Sequence, residues 1–481
     1  MERIVTGEQA RAKDRAVIAS GVSSLALMRT AAEGIAEAVK ARLGGGETVT
    51  AISGTGNNGG DGIAAAWLLR REGIDARIVL SGEESACTPD TAYYLTKAKE
   101  EGVPVRTDWA PVSGEILIDA LFGVGLNRPV EGKMRALIER MNDSGSAIVS
   151  ADLPSGLHAD SGAILGCAVK AACTVTMQAK KAGMLLGQGR ALCGEVTVWP
   201  LYPDDPEPDM FFDGERDIAA LLPKRPFDSH KGRNGHALLC VGSAAYPGAA
   251  LLSARAALRG GTGLLTVCTP DTVRPFFAAV PEAITAPTGT DDWCEAAAVK
   301  AKACMAGKQA IGIGCGAGKG DLLPVIEAAL KTGTKLVIDA DALNQMSADR
   351  TLFGLLHENV VLTPHAGEMA RLLNTTVSDV LSDPLGAVKT FPCTTLLKGA
   401  TTLVHANGKT AFLTFGNPGL AKGGSGDVLA GLITALLAQG LEPFDAARAG
   451  AYLLGTSADR AMKLLNERAL LASDVIDMVQ Y

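Results

Sequence analysis

The sequence predicts two α/β domains, each built on a parallel sheet with crossover helices, the first of them Rossmann-like and three-layered. Three observations carry this. The chain is 481 residues long, more than the ~100–200 residues of one domain. Short apolar runs alternate with helix-period segments along both halves, the pattern of strand–helix–strand crossovers. Finally, Pro200-Leu-Tyr-Pro-Asp-Asp-Pro-Glu-Pro-Asp209 gathers four prolines and four acids in ten residues, which bars helix and resists burial. The expected domains are 1–208 and 211–481, each large enough for its own core.

The first segment opens with Leu25, Met28, Ala32, Ile35 and Val39 at three- and four-residue steps, one face of an amphipathic helix. A strand over 48–53 breaks into Gly54-Thr-Gly-Asn-Asn-Gly-Gly-Asp-Gly62, and a helix is expected over 63–71. Strands over 76–80, 115–119 and 147–151 follow, with a helix over 133–141 before the last. The second segment repeats the alternation, with strands over 237–241, 264–267, 309–313, 335–339 and 360–363. A long apolar helix begins at Asp427.

Composition excludes several classes. Apolar residues make up 47% and charged residues 20%, a globular balance rather than a disordered one. Acids exceed bases by 52 to 45, a net charge of −7, which argues against a nucleic-acid partner. No apolar run reaches the ~18 residues of a membrane span, and the polar start MERIVTGEQARAKDR has no signal-peptide core. A cytoplasmic protein is expected. Ten cysteines form no C-x-x-C pair, so neither a disulfide scaffold nor a zinc site is read. Glycine is in excess, at 56 residues, placing backbone where something must approach closely.

In an open parallel sheet, ligands sit at the carboxyl ends of strands, and three loops of the first segment leave such ends. Gly54-Thr-Gly-Asn-Asn-Gly59 fits the weak pattern G-x-G-x-x-G, which a tight turn alone would satisfy. Asn57, Asn58 and Asp61 add polar side chains that such a turn does not require. The second loop, Gly123-Val124-Gly125-Leu126-Asn127-Arg128-Pro129, follows Asp119, and the third runs Asp152-Leu-Pro-Ser155. Each Asp or Ser could simply cap a strand end. Together Asn58, Asp119 and Ser155 offer the hard oxygens a monovalent or alkaline-earth cation takes.

Four motifs stand out in the second segment: Asp228-Ser-His-Lys-Gly, Thr363-Pro-His365-Ala-Gly-Glu368, Leu396-Leu-Lys398-Gly399-Ala400-Thr401-Thr402, and Gly416-Asn-Pro-Gly-Leu-Ala-Lys-Gly-Gly-Ser-Gly426-Asp427. The last places glycine N–H groups at a helix start, an anion hole reinforced by the helix dipole. Asp427 could cap that helix; beside a phosphate cradle it reads as a general base or a partner for a substrate hydroxyl. Lys398 suits nucleotide phosphates, and His365 is either a turn histidine or a ligand contact. Gly314-Cys-Gly-Ala-Gly-Lys-Gly320 is not a P-loop, since Gly320 follows Lys319 and Ile313 stands at the first-glycine position.

GTGNNGGDG, IDALFGVGLNRPV and ADLPSGL resemble the epimerase domain of the bifunctional NAD(P)H-hydrate repair enzymes. SHKG, DADALN, TPHAGE, LLKGATT and NPGLAKGGSGDVLAG resemble their ADP-dependent dehydratase domain, which has a ribokinase-like fold. The resemblance implies an isomerase fused to a lyase, acting on NADHX and NADPHX as metabolite repair. It implies that Asn57, Asn58, Gly59, Gly60, Asp61, the 123–129 loop and Asp152 hold the hydrated nucleotide. A potassium ion is implied on Asn58, Asp119 and Ser155, with Asp119 also an acid/base candidate. In the second domain it implies substrate contacts from Ala250, Gly316 or Gly318, His365 and Asp427. ADP, entering with Mg2+, falls to Lys398–Thr402 and Gly426. A homo-oligomer is expected. The sequence departs from the family's acidic run at Arg29 and Thr30, and lacks a proline in Lys181-Ala-Gly183.

Two other readings compete. A ribokinase-like small-molecule kinase fused to a non-catalytic nucleotide-binding domain would explain Gly-Gly-Ser-Gly-Asp427. A dehydrogenase would explain Gly54–Gly59, yet no ribose-binding acid stands at the expected ~20 residues, Asp75 being 16 past Gly59.

Overall fold

The computed structural model describes residues 1–203 and 208–481; the middle of the expected joint, 204–207, lies outside the described residues. The chain divides into two compact units. One spans Arg3–Pro208; the other holds Asp209–Tyr481 with Met1–Glu2. The second unit begins earlier than the expected residue 211, because Met210–Phe212 is a strand paired in parallel with Lys409–Leu413. A start at 211 would cut that strand.

The first unit carries a seven-stranded parallel sheet. Its order is Val105–Arg106, Ala76–Leu80, Thr48–Ser53, Glu115–Ala120, Ala147–Ala151, Cys173–Met177 and Glu195–Trp199. The chain runs outward one way from Thr48–Ser53, then returns to its other side with Glu115–Ala120. This reversal is a topological switch point. Helices Ser24–Lys40 and Asn57–Arg71 cover one face through Ile35, Val39, Ile63 and Leu69, all fully buried. Gly132–Asp143 covers the other through Leu137, Ile138 and Met141.

The helix expected over 63–71 begins six residues earlier, at Asn57. The glycine tract is therefore mostly the first turns of a helix pressed against the sheet. A Cβ on Gly59 would lie 1.9 Å from the Gly54 carbonyl oxygen, one on Gly60 2.6 Å from Met28 Cε, and one on Gly62 2.4 Å from Ala120 Cβ. These glycines let helix and strand approach.

The second unit carries strands in the order Ile284–Pro287, Leu264–Thr269, His236–Cys240, Ala310–Ile313, Lys335–Ile338, Val360–Leu362, Thr394–Leu397, Thr402–Ala406, Lys409–Leu413 and Met210–Phe212. All neighbours are parallel except around the Thr394–Leu413 meander. The apolar helix Ser425–Ala438 is buried at every residue from Val428 onward, so it is a core helix. Among the described residues no helix is long and apolar enough to cross a membrane. All ten cysteines are free thiols.

Candidate functional site

Two sites form, one in each unit, both at carboxyl ends of strands. In the first, Asp119 ends Glu115–Ala120 with its carboxylate fully buried. Oδ2 accepts from Ser150 Oγ and from Ser155 N–H, both at 2.8 Å. No ion pair among the described residues involves Asp119. Burial pushes its pKa up, against the hydrogen bonds from Ser155, Ser150 and Leu121. Ser155 Oγ accepts from Phe122 N–H at 2.9 Å, and an ideal Cβ on Gly123 would lie 3.2 Å from Asn58 Cβ. The three expected cation ligands therefore converge on the 121–123 backbone. Asn58 Nδ2 is buried without a hydrogen-bond partner, and the amide's two ends are interchangeable in such a pocket. An orphaned amide, a hydroxyl and a buried carboxylate with no countercharge fit a hard cation. With both oxygens enclosed, Asp119 is poorly placed to move a substrate proton.

A second cluster of charged groups stands at the next strand end. Asp152 follows Ala147–Ala151 with φ 61, a strained conformation that Asp tolerates better than most residues. Its Oδ1 accepts from Met177 N–H at 3.0 Å and from the ammonium of Lys181, which is 1% exposed. Nearby Asp61 has its pKa pushed well up, first by burial, then by the charges of Asp152, Asp14 and Asp90. Asp14 is raised too, by burial, although the Tyr202 hydroxyl donates to it at 2.9 Å. Sequence reasoning missed Lys181 and Asp14. Asp14 lies on the helix Gly7–Ala19, far from any loop motif. Lys181 sits beside the departure noted at Ala182.

The other expected residues separate by exposure. Asn57 is exposed and accepts from Thr88 Oγ1 at 2.6 Å. Gly125, Asn127, Arg128 and Pro129 are exposed, while Gly123, Val124 and Leu126 are half-buried. Gly59 and Gly60 are buried, packed against Gly54 and Met28.

The second site gathers four adjacent strand ends. Lys398, after Thr394–Leu397, places Nζ 2.7 Å from Asp339 Oδ1 and 3.6 Å from Glu368 Oε2. Burial works against that ammonium, but Asp339 and Glu368 more than offset it and hold its pKa above the ordinary value. Asp339 follows Lys335–Ile338; the next residue, Ala340, has φ 50 and ψ −118, a region costly for a side-chain-bearing residue. That turn aims Asp339 at Lys398 and Asp341 at the Gly318 N–H, which donates at 2.8 Å. A Cβ on Gly426 would come within 3.6 Å of both Asp339 Oδ2 and Lys398 Nζ, so Gly426 faces this pair directly. Asp427, in the first turn of Ser425–Ala438, has its pKa pushed up to about 6. Burial is the main cause, then the Asp339 charge, while the Cys315 thiol and Lys398 pull it down.

His365 is a helix cap: Nδ1 accepts from the N–H groups of Gly367 at 3.0 Å and Glu368 at 3.3 Å. Its Nε2 lies 3.5 Å from Glu368 Oε1, with the side chain 54% exposed at the rim. Gly399 and Ala400 are exposed, Thr401 is buried and Thr402 half-buried, around the turn between two antiparallel strands. Gly316 and Gly318 are half-buried with φ 61 and 71; a Cβ on Gly316 would lie 2.9 Å from the Tyr246 carbonyl oxygen. Ala250 is fully buried, its methyl packed in the core under Gly242, so any contact it offers a ligand is through the backbone. Asp339, Glu368 and Cys315 were missed because burial, not spacing, makes them part of the site.

Known families and proteins resemble both units. Residues 237–480 match the family described as NAD(P)H-hydrate dehydratase, and residues 24–183 match the YjeF-related protein N-terminus. The bifunctional NAD(P)H-hydrate repair enzyme of Coxiella burnetii is 34% identical over 99% of this chain and 98% of its own. That of Moorella thermoacetica is 32% identical over 96% and 92%. A crystal structure titled ADP/ATP-dependent NAD(P)H-hydrate dehydratase, from Bacillus subtilis, covers 55% of this chain and 95% of its own, at 29% identity and a TM-score of 0.49. This chain belongs to the family of bifunctional NAD(P)H-hydrate repair enzymes.

Proposed function

We propose that this chain repairs NAD(P)H to which water has added across the nicotinamide C5=C6 bond. The first domain interconverts the R and S hydrates at C6. The second dehydrates the S hydrate with ADP, releasing NAD(P)H, AMP and phosphate. Full-length similarity to the repair enzymes supports both halves. The observation that carries the reading is Asp427, a carboxyl titrating near pH 6 at the mouth of a glycine-lined helix N-terminus.

Hydroxide is a poor leaving group from C6, and the second site supplies a remedy. Asp427 takes the proton of the C6 hydroxyl as its oxygen attacks the terminal phosphorus of ADP, and AMP departs. The first N–H groups of Ser425–Ala438 lack intrahelical partners and point at the transferring phosphoryl, with the helix dipole adding to their pull. Lys398 reaches the same phosphoryl across Gly426, while Asp339 and Glu368 fix its position. ADP enters as its magnesium complex. Phosphate then leaves C6 as the ring nitrogen donates its lone pair, and loss of a C5 proton restores the double bond.

In the first site the C6 hydroxyl lies beside the ring nitrogen, so opening and reclosing the C6–N1 bond inverts C6. Asp152, which accepts from the Lys181 ammonium, takes the hydroxyl proton, and Asp61, whose pKa burial raises, delivers one to N1. Asn58, Asp119 and Ser155 would hold a potassium ion, which would supply fixed positive charge to the site. Replacing potassium with a bulky organic cation should slow R/S interconversion and leave dehydration of S hydrate unchanged. Equal epimerisation rates in the two buffers would remove the ion from this reading.

The direct test is to supply racemic hydrate with and without ADP and follow absorbance at 340 nm, which reports restored NAD(P)H. Complete ADP-dependent recovery is expected; no recovery would overturn the assignment. The acid limb of dehydration should lie near pH 6, because Asp427 must be ionised and its raised pKa brings protonation up to that pH. Asp339→Asn removes a charge that raises Asp427 and releases Lys398, which lowers it. Both effects move the limb to more acidic pH. A limb that stays in place would show that Asp427 is not the titrating base.

A further inference from the structure

The groups assigned to epimerisation stand at the ends of Thr48–Ser53, Glu115–Ala120 and Ala147–Ala151: Asn58 and Asp61 after the first, Asp119 at the second, Asp152 after the third. A cleft of about 690 Å³ opens on the other side of Thr48–Ser53, where Leu80 ends Ala76–Leu80 and Val105 and Arg106 form the edge strand. It adjoins the glycine turn: a Cβ on Gly82 would lie 2.8 Å from Thr55 Cγ2, and Thr88 N–H donates to the Thr55 carbonyl at 3.0 Å. In open α/β sheets a dinucleotide lies across the switch point, with its phosphates at the first glycine turn and its adenosine over the second strand. Asp152 stands three to four strands from the cleft, roughly 14–19 Å at the usual strand spacing, a separation suited to an extended dinucleotide.

The charges of the cleft select among adenosines. Lys99 Nζ sits 2.5 Å from Glu84 Oε1 and neutralises it. The lining then holds two carboxylates, Glu83 and Asp108, and one guanidinium, Arg106, all three exposed. A 2′-phosphate would bring about two further negative charges into a lining already in carboxylate excess, whereas ribose hydroxyls can donate to a carboxylate. Glu83 is placed for this, just past the end of the second strand. It stands 24 residues beyond Gly59, which is why a search at about 20 found no acid.

We infer that this cleft binds the adenosine half of the hydrated dinucleotide with its 2′-hydroxyl unphosphorylated, through Glu83, so that epimerisation favours NADHX over NADPHX. The inference rests on the epimerase reading given above. It is tested on the full-length protein with saturating ADP and R-NADHX or R-NADPHX, at initial rates that added S-specific dehydratase no longer raises. The expected kcat/KM is about tenfold or more higher for R-NADHX, the scale of one hydrogen bond to a charged group. Glu83→Ala should lower that value about tenfold and leave R-NADPHX nearly unchanged. Glu83→Arg should raise turnover of R-NADPHX, a gain that misfolding cannot produce. Equal kcat/KM for the two substrates, with both variants like the parent, would overturn the subsite and leave the epimerase standing. Failure to turn over either R hydrate while S hydrates are still consumed would overturn the epimerase reading, and the subsite with it.

Discussion

Asp427→Ala should abolish ADP-dependent dehydration, by a factor of about 10²–10⁴ as for loss of a general base, while R/S interconversion persists. Asp427 sits in the first turn of Ser425–Ala438, and burial and the Asp339 charge push its pKa up to about 6. Removing it leaves the glycine cradle and Lys398 in place, so ADP binding should change far less than turnover. The check is a pair of assays on one preparation: recovery of 340 nm absorbance for dehydration, and chromatographic separation of R and S hydrates for epimerisation. Near-native dehydration by the variant would remove Asp427 from the chemistry. Loss of both activities would point to a folding defect, which Asp427→Asn, almost isosteric, would resolve.

Separating the two units should produce the other large effect. A fragment starting at Asp209 should stay folded and consume only the S half of a racemate. It retains Met210–Phe212 in the sheet and the buried pair of Asp213 with Arg448, at 2.6 and 2.7 Å. A start beyond Asp213 strands that guanidinium in the core, a loss of about 3–5 kcal/mol for a broken buried pair. The complementary fragment ending at Pro208 has its own two-faced core and sheet. It should yield no NAD(P)H alone, yet complete the turnover of the racemate when mixed in. The endpoint must be read quickly, before spontaneous epimerisation contributes. Full consumption by the Asp209 fragment alone, or no gain on mixing, would contradict the assignment of epimerisation to the first unit.

What was legible in the sequence was local: strand and helix type, and the glycine-rich segments at strand ends. These follow from periodicity, propensity and the bar that proline sets on helix, all properties of neighbours along the chain. Asp427, Asp119, Asn58 and Ser155 could be picked out as candidates because each sits in or beside such a turn. The tertiary structure alone decided which of the motif residues face a ligand. Gly59, Gly60 and Ala250 are close-packed, since their neighbours Gly54, Met28 and Gly242 are brought there by folding. It also recruited Lys181, Asp14, Asp339 and Glu368, whose weight depends on charges meeting across strand ends in a medium from which water is excluded. Coulomb energies scale with distance and dielectric, and neither quantity exists until the chain has folded.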